Sequence, residues 1–491
     1  MYQRKKRKKF VLIISILVLI CATGIGGFLL YHHIIMNKTT VTASVSENDV
    51  DAADLQNVEN EPANGSGMEN NVSANNESGA EGSVSANNGS GAEDNGPADE
   101  SWAETGDGGL ADKSGTEDDR PSAKSETEKD DTSQPEPVKV RGIYVTGPTA
   151  GSVSMENLIK LIDETELNTM VIDVKNDEGQ ITYQMNLETA QNMGACISYI
   201  GDMESLMATL KEHDIYTIAR IVCFKDPYLA QNYPELALKK ADGTPVTDAY
   251  GLAWVNPCKE GVWEYLADVA IAAADAGFDE IQYDYVRFPI GRDADAADYG
   301  VVMESGTKEK MITDFLTYAA EHLHEKGIVV TADVFGTIIG NEVDIERVGQ
   351  NYVTLAKTID VLSPMVYPSH YGNGVYGYRV PDAEPYGTVL AALTDSSEEL
   401  QVLEESDRAI VRPWLQAFTA TWVDGHISYG GKQIREQIQA VYDAGYDEWI
   451  LWNSRNHYEA DGLLPADEVD VDEAADADNI TENPDTENAD K

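Results

Sequence analysis

A chain of 491 residues has room for two or three domains, but 86 Asp and Glu against 35 Lys and Arg give a net charge of -51, too large for one ordinary globular body. So acidic a chain repels phosphate backbones, which excludes a nucleic-acid partner. Of four cysteines only Cys196, Cys223 and Cys258 lie in the part that reads as folded, an odd number with irregular spacing, which does not make a disulfide framework.

Arg4 to Lys9 are all basic, and an almost unbroken apolar run follows from Phe10 to Tyr31. About 20 apolar residues suffice to cross a bilayer as a helix. No small-residue cleavage site follows, and Ile20 before Cys21 is too bulky for a lipid-attachment site. The expectation is a basic cytoplasmic end (1–9), an uncleaved single-pass anchor (10–35) and an extracellular remainder. Residues 36–137 are rich in Ser, Gly, Asn, Ala, Asp and Glu, with a tandem repeat starting at Val72 and again at Val84. Such a segment cannot offset its ordering entropy by burial, so it reads as a disordered spacer. Residues 466–491 hold eleven acidic residues and one Lys, a solvated acidic tail.

Between 138 and 465 short apolar runs alternate with helical patterns. VRGIYVT from Val140 is a first strand. NTMVIDVKND is a second, with Asp173 and Lys175 expected on one face. IYTIARIVCF is a third, carrying Arg220. A long loop with AWVNP (Ala253 to Pro257) leads to a helix near Glu260 to Ala276 and then to GFDEIQYDYVRFP. There Gly277 suits a helix C-cap, strand parity puts Gln282 and Asp284 on one face, and Pro289 ends the run. IVVTADVF carries Thr331 and Asp333, and IDVLSPMVYPS leads to Tyr367 and His370. AIVRPWLQAF aligns Arg412, Trp414 and Gln416, and YDEWILWNS ends at Trp452 and Asn453. Eight apolar strands alternating with helices over roughly 330 residues predict an α/β fold, a (β/α)₈ TIM-type barrel with enlarged loops. An open doubly wound sheet is the competitor, but it lacks a Gly-rich first turn. No eighth helix is evident after Asn453.

The active site of such a barrel forms at the carboxyl ends of its strands. Asp173, Arg220, Asp284, Asp333, Tyr367, Gln416 and Asn453 fall there, among Trp254, Tyr285, Trp414, Phe418, Trp422 and Trp452. Carboxylates set among aromatic rings suit sugar chemistry, in which two acids flank a glycosidic bond. Trp263 and Trp449 read as core filling. No Gly-rich phosphate loop, G-x-S-x-G or H-E-x-x-H occurs, so neither a cofactor nor a metal is implied.

The succession AWVNP, a helix and DEIQYDYVRFP, with TADVFG and SPMVYPSHY, resembles the glycosyl hydrolase barrels of bacterial cell-surface proteins. That family is distantly similar to α-amylase-like and melibiase-like barrels. The resemblance implies a (β/α)₈ fold, action on a polysaccharide or cell-wall glycan, and Asp284 as nucleophile. It departs from those barrels in having Gln282 where they place Arg or Lys, and Asp333 as the only acid offered by strands five and six. The resulting expectation is a membrane-anchored glycoside hydrolase with Asp284 as nucleophile and Asp333 as general acid/base. Asp173, Arg220, Trp254, Tyr285, Arg287, Tyr367, His370, Trp414, Gln416, Trp452 and Asn453 would bind or orient the substrate. The alternative is a catalytically silent carbohydrate-binding barrel; metal-dependent deacetylation would need clustered His and Asp ligands that the sequence does not offer.

Overall fold

The computed structural model describes residues 138–466. The expected anchor (10–35), the spacer (36–137) and the tail beyond 466 lie outside the described residues. Among the described residues no helix is long and apolar enough to cross a membrane.

In chain order the strands are β1 (Arg141–Val145), β2 (Thr169–Lys175), β3 (Ile181–Tyr183), β4 (Cys196–Ile200), β5 (Tyr216–Val222), β6 (Glu280–Asp284), β7 (Val329–Phe335), β8 (Val361–Met365), β9 (Ile410–Val411), β10 (Trp414–Gln416) and β11 (Trp449–Trp452). All barrel neighbours pair in parallel. Because β1 pairs with both β2 (Gly142↔Thr169) and β11 (Arg141↔Trp449), the sheet closes on itself. Closure excludes the open doubly wound alternative. β9 and β10 are one barrel strand interrupted at Pro413, which has no N–H for the ladder. The short β3 and β4 form an excursion from the barrel, with β3 antiparallel to β2.

Helices between the strands cover the outside. Two of the longer ones, Glu260–Asp275 and Thr307–His324, bury Val262, Leu266, Phe315 and Leu316 on their inner faces. Gly277 follows the first of these at φ 108, a backbone angle costly for any residue with a Cβ, and turns the chain into β6. Between β11 and Pro465 no α-helix occurs; the chain makes a short turn at Ala460–Gly462 and then bridges Thr165 through Pro465. Glu166 secures that end, its carboxylate accepting from the Leu464 amide (2.9 Å) and from Arg435.

The amino-terminal end of the barrel holds a buried charge cluster beside the apolar side chains of Val140, Val171, Ile218 and Ile450. Arg412 donates to Glu280 (2.6 Å) and Glu448 (2.7 Å), and Tyr216 and Thr331 add hydroxyl bonds to Glu280. All three charged groups are buried. Arg412→Met should therefore lower stability by about 3–5 kcal/mol, because two carboxylates would stay buried without their cation. Urea unfolding of the variant beside the unaltered chain measures this.

Candidate active site

At the opposite end, the carboxyl ends of the strands converge on Arg220. Register places Asp173 of β2, Arg220 of β5 and Gln282 of β6 side by side. The guanidinium donates to Asp284 Oδ2 through Nε (2.9 Å) and Nη2 (2.6 Å), to Asp173 Oδ1 through Nη1 (2.7 Å) and to Asp177 Oδ1 through Nη2 (3.1 Å). Its faces meet the rings of Tyr144 and Trp452, at 5.5 and 5.3 Å. One delocalised cation thus fixes three carboxyls in a water-poor setting, a task that suits the planar fork of Arg. Asp173 is pushed up to about 6 by burial, against the opposing pull of Arg220 and of the Tyr144 hydroxyl, which donates to it at 2.5 Å.

Asp284 and Asp333 have contrasting surroundings. Asp284 takes both Arg220 bonds on one oxygen, and its other oxygen accepts only the Tyr285 amide, at 2.6 Å. Tyr285 holds φ at 50°, a left-handed conformation costing of order 1 kcal/mol outside Gly, and there the chain leaves β6. Among the described residues Asp333 makes no ion pair. Trp414 Nε1 (2.7 Å) and Gln282 Nε2 (2.8 Å) both donate to its Oδ1. Burial, followed by the charge of Asp284, raises its carboxyl well above the usual range. Since Gln282 pairs with Thr331, the residues two further on, Asp284 and Asp333, stand at one level on adjacent strands. Parallel neighbours lie about 4.8 Å apart. A carboxylate beside a carboxyl that keeps its proton can supply charge and a proton to the same bond.

Residues 142–458 match the family described as "Putative glycosyl hydrolase domain". The chain belongs to this family. A hypothetical protein from Ruminiclostridium thermocellum is 36% identical, over 39% of this chain and 97% of its own, with a TM-score of 0.36. The PgaB (BpsB) glycoside hydrolase domain from Bordetella bronchiseptica is 13% identical, over 67% of this chain and 99% of its own, with a TM-score of 0.50, which shows a shared fold. The alpha-galactosidase TtGalA from Thermus thermophilus is 14% identical over 69% of this chain and 62% of its own, with a TM-score of 0.40. No curated protein matches by sequence.

In this glycosyl hydrolase barrel one cavity is lined by Arg220, Asp284, Tyr285, Arg287, Asp333, Tyr367, His370, Trp414 and Trp452. Asp173 and Asn453 line two neighbouring cavities. Trp254 and Gln416 stand behind the wall. The Trp254 ring is a buried support, 5.0 Å from the Arg287 guanidinium, whose other faces meet Phe335 (4.8 Å) and Tyr285 (5.2 Å). Gln416 is buried and gives its amide to Asp382 (2.9 Å) and the Phe418 carbonyl, while accepting from the Ser369 amide. It braces loops.

Parity misplaces Lys175. A register shift between Asp173 and Lys175 inserts an extra residue, so Lys175 turns away from Asp173. It is buried against Asp226 (2.9 Å) and the Val222 carbonyl (2.6 Å). Sequence reasoning also passed over Asp177, Phe335, Gln350 and Met365, which line the cavity, and Tyr144, which binds Asp173. Tyr144 was findable, being the one polar ring on β1. Asp177 follows a bulge, and strand parity carries no signal for it. Among the described residues no group of three or more His, Cys, Asp or Glu is arranged to hold a metal ion.

Proposed function

We propose that the barrel hydrolyses O-glycosidic bonds of a polysaccharide or cell-surface glycan by a two-carboxylate, retaining mechanism. The observation that carries this reading is the pair Asp284 and Asp333, at one level on adjacent strands, one held by Arg220 and the other buried without an ion pair, its carboxyl raised by burial and bonded by Trp414 and Gln282. Asp333 gives its proton to the glycosidic oxygen as the C–O bond breaks, and Asp284 forms a bond to the anomeric carbon. Water then attacks that carbon, Asp333 takes one of its protons, and the Asp284 ester bond breaks. A backbone spacing of about 4.8 Å between adjacent parallel strands lets the two acids approach to the separation that a retaining mechanism uses. Tyr367, Trp414 and Trp452 give the cavity an aromatic lining.

The test is the configuration of the first sugar released, followed by NMR during hydrolysis of a cell-wall or secreted polysaccharide. Retention at the anomeric carbon is expected. Inversion would remove Asp284 from the nucleophile role, and glycan retained on the protein with no new reducing ends would make the barrel a binding module.

The apolar run from Phe10 to Tyr31 and the polar spacer after it support an anchored protein with the barrel outside the cell. Full-length protein should then require detergent for release from membranes, whereas a chain beginning near Pro137 should not. Fractionation of intact cells measures both, and mature protein free of residues 10–35 in untreated medium would show cleavage.

A further inference from the structure

The carboxylate pair sits in a pit of ≈ 50 Å³. Asp177 is shared between this pit and a cavity of ≈ 550 Å³ over β1 and β2. That cavity in turn shares Ser454 and Arg455 with a third, of ≈ 590 Å³, beside the loop that follows β10. The three spaces are neighbours at the barrel mouth, linked by these shared lining residues.

The third cavity holds Trp422, which at 39% is the one exposed Trp among the six described. Its ring stacks on Phe418 (centroids 5.9 Å apart, planes 23° apart), and Phe418 meets Tyr367 of the pit edge-on at 5.9 Å. An aromatic path therefore leads from the acids to an exposed indole. The loop bearing it is firmly held. Buried Asp382 accepts from Gln416 Nε2 (2.9 Å) and the Ile427 amide (3.2 Å), and its carbonyl accepts from the Tyr429 hydroxyl (2.9 Å). Across the cavity Asn453 Nδ2 donates to the Ala417 carbonyl at 2.6 Å. Thr419, Tyr429, His457 and Glu459 give the same cavity a polar rim. A flat apolar plate ringed by hydroxyl, imidazole and carboxylate groups matches a sugar ring, apolar on its C–H face and polar at its edge.

We propose that the Trp422 cavity is a distal sugar subsite, so that the substrate is a linear polysaccharide laid across the barrel mouth and cut within the chain. The proposal rests on the glycosidase reading for where cleavage falls, but not for binding. The probes are two-unit and six-unit oligomers of β-1,4-glucose, β-1,4-N-acetylglucosamine, β-1,4-mannose and α-1,4-glucose. They are titrated calorimetrically into the full-length chain carrying Asp284→Asn, so that binding is read without turnover. At least one series should bind about tenfold tighter at six units than at two, the scale expected from covering one ring face. Adding Trp422→Ala should collapse that advantage, whereas Trp422→Phe, which keeps a plate, should retain most of it; thermal unfolding confirms that both fold. The proposal is overturned if no series gains with length, or if the gain survives Trp422→Ala. Failure of the glycosidase reading looks different. Trp422-dependent length preference with no reducing ends released by the unmutated chain leaves the subsite and removes catalysis. Equal kcat/KM on short and long oligomers leaves catalysis and removes the subsite.

Discussion

Asp284→Asn should reduce kcat by about 10⁴-fold or more while the barrel stays folded. A nucleophile's loss is usually of this order, because the covalent route closes and only positioning and the remaining electrostatics act on the bond. Asp284 accepts three hydrogen bonds, two on Oδ2 from Arg220 and one on Oδ1 from the Tyr285 amide. Asn offers a single acceptor oxygen, so it satisfies either Arg220 or the amide, at a cost of about 1–3 kcal/mol. Arg220 keeps Asp173 and Asp177 and is not left an unpaired buried cation. The measurements are reducing-end release and thermal unfolding on the same preparations. Full activity in the variant would take Asp284 out of the mechanism; global unfolding would make the Arg220 cluster structural first.

The barrel was legible because most of its strands are buried on both faces and read as apolar runs, with helical periodicity between runs. Asp284, Asp333 and Arg220 could be found because strand parity holds in β5, β6 and β7, whose register is unbroken where they pair. Parity failed in β2, where a bulge turns Lys175 to Asp226 and brings the following loop inward with Asp177. The β3–β4 excursion was not foreseen, since ITY is too short to stand out as a strand. Trp254 and Gln416 carry side chains that suit a sugar site, yet one braces Arg287 and the other braces loops. Residue type showed which chemistry was possible, and only the packing showed which side chains face the cavity.

Asp333→Asn should lower kcat about 10²- to 10⁴-fold on glycans with poor leaving groups, the usual worth of general acid catalysis. On an aryl glycoside, whose leaving group needs little protonation, the loss in the first step should be much smaller. Stability should move the other way. Trp414 and Gln282 both donate to Oδ1, which Asn retains, so the niche stays satisfied while a buried ionisable group disappears. The sign follows from the raised carboxyl. The folded chain holds this proton more tightly than the unfolded one, so the stabilisation is complete below the ordinary carboxylate range and is lost as pH rises through the folded value. The unmutated chain should therefore lose Tm relative to Asp333→Asn across that window, leaving the variant at least as stable at neutral pH. The same titration removes the proton needed for catalysis, so unmutated kcat/KM should fall on its alkaline side, a limb absent from the variant. Thermal unfolding and rates on both substrate types over one pH series test these together. An Asp333→Asn variant with full activity on the poor-leaving-group glycan would show that another group delivers the proton, and the buried carboxyl would then be a structural acid beneath a site run by Asp284 and Arg220.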